Sequence, residues 1–176
     1  MKLFLDTADV ATVSQFWSTG LIDGLTTNPT LMMKAGQLPD KVYHDLKNLG
    51  IKDISMEVVA DTSEGMLSEA RRLISLFGEV VTIKVPCTPE GLLACKELAN
   101  QNIRVNVTLI FSAAQAILAA KAGARYVSPF VGRVDDNSFD GINLVDQISD
   151  IYTIQNIRKT EILAASVRDV KTVSDA

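Results

Sequence analysis

The apolar run Val80-Val81-Thr82-Ile83-Lys84-Val85-Pro86 carries a lysine close to its end. Apolar surroundings strip water from an ammonium group, which disfavours the charged form. A neutral amine attacks a carbonyl carbon and forms a Schiff base. The competing reading is a lysine that snorkels from a strand end to solvent. Polar residues stand at equivalent places along the chain: Asp6 after Leu3-Phe4-Leu5, Asn28 before Pro29, and then Glu57, Thr108, Ser128 and Ser166. The only histidine is His44, and the two cysteines, Cys87 and Cys95, lack metal-ligand spacing. Histidine triads, multi-histidine metal sites and a disulfide framework are therefore not expected. Chemistry in this chain falls to lysine, carboxylates, hydroxyls and amides.

These residues need elements to hold them. Strand-like runs over residues 3–7, 24–28, 54–59, 80–85, 104–110, 126–131 and 161–167 alternate with helix-like stretches. The helices are expected over 9–19, 29–34, 41–49, 62–77, 89–100, 112–122 and 141–157, with a last one starting at Arg168 or Asp169. Such alternation implies parallel strands joined by helical crossovers, hence an α/β fold. A repeat of roughly 25 residues suits either a (β/α)₈ barrel or a doubly wound sheet. No G-x-G-x-x-G follows the first strand, and side-chain parity favours the barrel. Val81, Ile83 and Val85 share one face, opposite Thr82 and Lys84; Val105, Val107 and Leu109 oppose Asn106 and Thr108. One face suits packing beneath helices, while the polar residues point inward and converge where barrel enzymes keep their active sites. Seven strands are found. The expectation is one domain over residues 1–176, a TIM (β/α)₈-type barrel whose eighth β/α unit is missing, with unpaired edges at the first and seventh strands. That shortfall also motivates the reading of an inactive scaffold.

Composition narrows the class. With 47% hydrophobic and 22% charged residues, the 176-residue chain reads as an ordinary globular domain. A net charge of −4 argues against nucleic-acid binding. No apolar stretch approaches the roughly 20 residues needed to span a bilayer, and no signal segment is evident at the N-terminus. A cytoplasmic location follows as the expectation. His44 reads as a surface or boundary residue, Met32-Met33 and Trp17 as core or interface, and Asp135-Asp136 as solvated acids in a polar loop.

Leu5-Asp6-Thr7, Thr26-Thr27-Asn28-Pro29-Thr30, Ile83-Lys84-Val85-Pro86, Asn106-Val107-Thr108, Tyr126-Val127-Ser128-Pro129-Phe130-Val131-Gly132-Arg133 and Leu163-Ala164-Ala165-Ser166-Val167-Arg168 occur in this order. Together they resemble the transaldolase family, in its short subfamily that also contains fructose-6-phosphate aldolases. The resemblance runs along the whole chain. It implies a barrel and a Schiff-base lysine at Lys84, with no metal and no organic cofactor. By the same likeness, Asp6 shuttles the proton of the C–C cleavage step, and Glu57 with Thr108 holds a water for imine formation and hydrolysis. Asn28 binds a substrate hydroxyl, Ser128 lines the dihydroxyacetone pocket with Phe130 as a further substrate-binding residue, and Arg133, Ser166 and Arg168 grip the sugar phosphate. Asp6 as a helix cap, Asn28 as a turn residue and solvated arginines are the plainer alternatives. Aldolase members carry Gln and Tyr where this chain has Glu57 and Phe130, so the pair points to transfer. The implied activity moves a dihydroxyacetone unit from sedoheptulose 7-phosphate or fructose 6-phosphate to an aldose phosphate, in the pentose phosphate pathway. A fructose-6-phosphate aldolase releasing dihydroxyacetone is the alternative. Relatives form pentamer rings that stack into decamers through a C-terminal helix not seen in this sequence, so a homo-oligomer is a weaker implication.

Overall fold

The computed structural model describes residues 1–176. Its elements are β1 (Phe4–Asp6), α1 (Val10–Trp17), β2 (Gly24–Thr26), α2 (Pro29–Ala35), α3 (Pro39–Asn48), β3 (Ile54–Glu57), α4 (Ser63–Phe77), β4 (Val81–Pro86), α5 (Pro89–Asn100), β5 (Val105–Ile110), α6 (Ala113–Ala122), β6 (Tyr126–Pro129), α7 (Val131–Asp136), α8 (Gly141–Ile154), β7 (Glu161–Ile162) and α9 (Val170–Asp175). All seven strands pair in parallel, in the order β1-β2-β3-β4-β5-β6-β7. Helix starts are well marked. Asp9, Asn28, Thr62, Thr88, Ser112, Asp140 and Asp169 each accept a backbone N–H of the turn they precede. Each such cap stabilises its helix by about 1 kcal/mol.

The sheet has two chemically distinct faces. Ile54, Met56, Val81, Ile83, Val85, Val105, Val107 and Val127 are buried on the outer face, in one core with Ala70, Leu73, Ala94, Leu98, Ala116 and Ala119 from the helices. Burying a Val or Leu side chain contributes roughly 1.5–3 kcal/mol, so this layer is the main source of stability. The inner face is polar: Asp53, Ser55, Thr82, Lys84, Asn106, Thr108 and Ser128 are all buried. The sheet curls far enough for the Phe4 and Tyr126 rings, on β1 and β6, to meet edge to face at 5.6 Å. Lys2 reaches Glu161 across the same seam at 2.7 Å. A cavity of about 590 Å³ opens there, lined partly by Phe4, Tyr126, Ile162 and Leu163. No helix is long and apolar enough to cross a membrane.

The deep end of the inner face is held by Asp53, only 6% exposed. Thr82 Oγ1 donates to its Oδ1 at 2.6 Å and Tyr126 Oη to its Oδ2 at 2.8 Å. Arg104 Nη1 lies 3.2 Å from Oδ2. Burial, with the Asp53 charge adding to it, pushes the Tyr126 phenol up to about 12. Burial likewise raises Tyr43 to about 12, and raises Tyr152. A folded-state pKa above the unfolded one means that this stability is intact below about pH 10. It is lost as pH climbs from about 10 to 12, at about 1.4 kcal/mol per pH unit for each tyrosine. All three tyrosines are therefore expected to ionise together with unfolding, as one cooperative step in phenolate absorbance. A gradual, non-cooperative rise beginning near the ordinary tyrosine range would contradict this.

Four sequence expectations need correction. Residues 126–131 are not one strand: β6 stops at Pro129, and Val131 opens the short helix α7. The first N–H groups of α7, from Val131 and Gly132, bond to the carbonyls of Ala165 and Ser166 at 3.0 and 3.1 Å. Asp135 and Asp136 lie in that helix rather than in a loop, and both are engaged. Asp135 accepts Gly141 N at 2.9 Å, and Asp136 pairs with Arg168. The seventh strand is also shorter than 161–167. Beyond Ile162 the chain still bonds to β6 through Leu163 N and Ala165 N, then turns at Ser166, whose φ is 59°. Finally, Leu109 does not share a face with Val105 and Val107. A bulge between Val107 and Ile110 gives Leu109 a φ of 59°, and Ile110 takes the buried outer position.

Candidate active site

Lys84 lies near the end of β4, within a strand whose residues Val81 to Val85 are all buried. It is 5% exposed, so it does not snorkel. Its Nζ sits 2.9 Å from Glu57 Oε2 and donates to the carbonyl oxygen of Thr27 at 3.1 Å. The parallel register explains the meeting. Glu57 pairs with Lys84, and Lys84 with Asn106, so the three project from one face on adjacent strands. Two acceptors thus aim the amine, while the Glu57 side chain keeps 23% exposure towards the open end of the sheet.

Asp6 ends β1 beside Thr26 of β2, whose hydroxyl donates to Asp6 Oδ1 at 2.7 Å. Asp6 is not a helix cap; Asp9 has that role in α1. Thr27, next to Thr26, is the residue that receives Lys84. The Asp6 carboxylate and the Lys84 amine are therefore carried by neighbouring segments of one rim. Asn28 follows directly. Its Oδ1 accepts Leu31 N at 3.0 Å as the cap of α2. The cap and ligand readings coexist, because the amide nitrogen is not used by that bond.

Across the inner face, Thr108 Oγ1 is buried with no hydrogen-bond partner. An unpaired buried hydroxyl costs about 1–3 kcal/mol, so this one is open to a water or a ligand oxygen. It precedes Leu109, a bulky residue at positive φ, where strain of order 1–3 kcal/mol is concentrated. Ser128 donates to Asn106 Oδ1 at 2.8 Å. Phe130, two residues on, lies edge-on to Phe111 with ring centres 5.9 Å apart.

A second group occupies the rim formed by α7 and the segment after β7. The Arg133 guanidinium is exposed and stacks 4.8 Å from the centre of the Phe130 ring. Arg168 makes a two-pronged pair with Asp136, at 2.6 and 2.7 Å. That bidentate bond holds the Asp136 carboxyl below the usual carboxylate range. Gly132 packs directly against this turn. A Cβ there would strike the Ser166 carbonyl oxygen and come within 2.7 Å of Arg168 Nε. Arg133, Ser166 and Arg168 thus cluster on the rim, with no direct contact to Lys84.

Sequence reasoning placed Asn106 on the inner face without giving it a task, gave Thr27 and Leu109 none either, and passed over Ser55. Parity was the available signal for Ser55; Thr27 acts through its backbone, and nothing local marks a bulge at a leucine. No three His, Cys, Asp or Glu side chains come together in a way that could hold a metal ion.

A curled parallel sheet with helices packed on its outer face and a buried lysine–carboxylate pair at one end defines a barrel-type α/β fold. Comparison with known proteins agrees. A protein described as dihydrodipicolinate synthase, from Rhodopseudomonas palustris, superimposes with a TM-score of 0.60. The match covers 93% of this chain and 62% of that protein, at 13% identity, so it speaks for the fold alone. Residues 3–176 match the family described as transaldolase/fructose-6-phosphate aldolase. A probable transaldolase of Nitrosopumilus maritimus (strain SCM1) is 49% identical over 176 residues, all of this chain and 79% of that protein. Another, from Paracoccus denitrificans (strain Pd 1222), is 48% identical over the same 176 residues and 80% of its own length. The chain belongs to the transaldolase/fructose-6-phosphate aldolase family.

Proposed function

We propose that this protein is a transaldolase that moves a dihydroxyacetone unit between sugar phosphates through an imine on Lys84. The observation that carries the reading is the buried Lys84 amine, 2.9 Å from Glu57 and fixed by the Thr27 carbonyl. Transfer of the Nζ proton to Glu57 leaves a neutral amine aimed at the pocket. That amine adds to the ketose C2 carbonyl; the carbinolamine loses water and becomes an imine. Glu57, with the unpartnered Thr108 hydroxyl, handles the protons of these steps through a water. Asp6 takes the proton of the C4 hydroxyl, the C3–C4 bond breaks, and the aldose departs. The electron pair of that bond remains on the enamine. An acceptor aldehyde then bonds to the enamine carbon, Asp6 returns its proton, and hydrolysis frees the new ketose. Asn28 and Ser128 bind hydroxyls of the donor. Sedoheptulose 7-phosphate and fructose 6-phosphate are the donors the family likeness favours, in a cytoplasmic setting.

Transfer is favoured over release because Phe130 offers the enamine no acidic hydroxyl. Without an acceptor, dihydroxyacetone should accumulate from fructose 6-phosphate about tenfold more slowly than sedoheptulose 7-phosphate forms with erythrose 4-phosphate present, a difference of about 1.4 kcal/mol in barrier. Equal rates would turn the reading to an aldolase.

The phosphate grip is assigned to Arg133, Ser166 and Arg168, since guanidinium groups match phosphate oxygens, with Arg168 exchanging Asp136 for the phosphate or adding its Nε–H, which Asp136 leaves free. Gly132→Ala, which displaces the Ser166–Arg168 turn, is expected to raise KM for phosphorylated acceptors about tenfold or more. Activity with an unphosphorylated aldehyde should change little. Equal losses with both acceptors would move the phosphate site elsewhere.

A further inference from the structure

Beneath the reacting groups runs a chain of three buried polar side chains. Ser128 Oγ donates to Asn106 Oδ1 at 2.8 Å, and Asn106 Nδ2 donates to Ser55 Oγ at 3.2 Å. Ser55 and Asn106 are fully buried and Ser128 almost so. An amide presents an acceptor on one side and donors on the other, so its orientation decides what its neighbours do. Here Ser55, on β3, takes one amide hydrogen. The carbonyl end of Asn106 then faces Ser128 and receives its proton. Ser128 is left with oxygen lone pairs for a ligand, and Asn106 with its second N–H. Ser55 is itself pinned: its carbonyl accepts both the N–H and the hydroxyl of Thr27, at 3.1 and 2.9 Å. Thr27 is the residue whose own carbonyl holds Lys84.

We infer that Ser55 is a positioning residue for the donor ketose. It sets the Asn106 amide so that Ser128 meets a substrate hydroxyl as an acceptor and Asn106 meets substrate oxygen as a donor. The inference rests on the Schiff-base reading, and it extends the site to a residue that touches neither substrate nor Lys84. Without the Ser55 hydroxyl, nothing on that side distinguishes the two ends of the amide. Asn106 can then turn over, and Ser128 must accept from it rather than donate.

The test is a double-mutant cycle on the full chain with fructose 6-phosphate as donor, combining Ser55→Ala and Ser128→Ala. The two side chains share no hydrogen bond, so a merely structural role for Ser55 predicts independent, multiplying losses in kcat/KM. The positioning role predicts that Ser55→Ala alone lowers kcat/KM about tenfold, mainly through KM, the loss expected for a misdirected hydrogen bond. In the Ser128→Ala background the same change should cost no more than about twofold. Ser55→Cys, which keeps the volume but replaces the acceptor with a weak one, should reproduce this split if the alanine variant folds poorly. Multiplying losses overturns the inference while leaving the Schiff-base reading intact. Absence of a borohydride-trapped lysine adduct in the unsubstituted protein overturns both.

Discussion

Lys84→Met is expected to lower kcat/KM for ketose exchange by more than about 10⁴-fold, in keeping with losses seen when a nucleophile is removed. Far-ultraviolet circular dichroism and the unfolding midpoint should stay close to those of the unsubstituted protein. Chemistry sets the first half of this expectation. No other lysine is buried, so no second amine shares the shielded setting of Lys84. Packing sets the second half. Methionine fills the volume of the lysine stem; removing one partner of a buried pair is costly where the other charge is left without water. Glu57 loses its partner but keeps partial access to water, which limits the penalty. An active Lys84→Met protein would remove the Schiff base from the account. An unfolded one would shift the role of Lys84 from chemistry to structure.

The largest effect on stability is expected from Asp53→Ala. Asp53 accepts hydroxyl protons from Thr82 and Tyr126 and pairs with Arg104. Removing it strands two hydroxyls and part of a guanidinium inside the sheet. Breaking a buried pair in this way costs about 3–5 kcal/mol, against about 0.5 kcal/mol or less for an ordinary surface substitution. Urea unfolding reads the loss directly as a lower midpoint. Asp53→Asn keeps one acceptor and should lose roughly half as much, by the difference between an unpaired group and a weaker hydrogen bond. Activity per folded molecule should persist in both, because Asp53 lies at the end of the sheet opposite the Lys84 rim. A loss under about 1 kcal/mol in Asp53→Ala would mean that water replaces the carboxylate and that this network does not hold the sheet.

Much of the architecture was legible because two periodicities alternate cleanly. Val81, Ile83 and Val85 against Thr82 and Lys84 gave both the strand and its inward face, and the structure keeps that division. The same parity placed Glu57, Lys84 and Thr108 on one surface. Their meeting also depends on register, which no single strand reveals: Glu57 reaches Lys84 because β3 and β4 pair residue for residue at that level. Errors arose where the backbone left its period. At Leu109 a bulge moves the next residue into the core, and leucine carries none of the Gly or Asn signals that usually mark positive φ. At Val131 the apolar run Phe130-Val131 reads as strand, yet carbonyls from a distant segment, Ala165 and Ser166, satisfy the first turn of a helix. Asp136 is exposed as its polar surroundings suggest, but its partner Arg168 lies 32 residues away and leaves no local sign of the pair. Thr27 meets Lys84 through its backbone carbonyl and Ser55 meets Asn106 through a buried hydroxyl, groups that residue type alone does not single out.

The central claim is a covalent imine on Lys84, and borohydride reduction in the presence of fructose 6-phosphate tests it most directly. Reduction converts the imine to a stable secondary amine, and peptide mass mapping locates it. The account predicts a dihydroxyacetone-derived three-carbon adduct on the peptide containing Lys84 and on no other, absent from Lys84→Met. A folded protein that shows no adduct, or one that carries it on a different lysine, would contradict it.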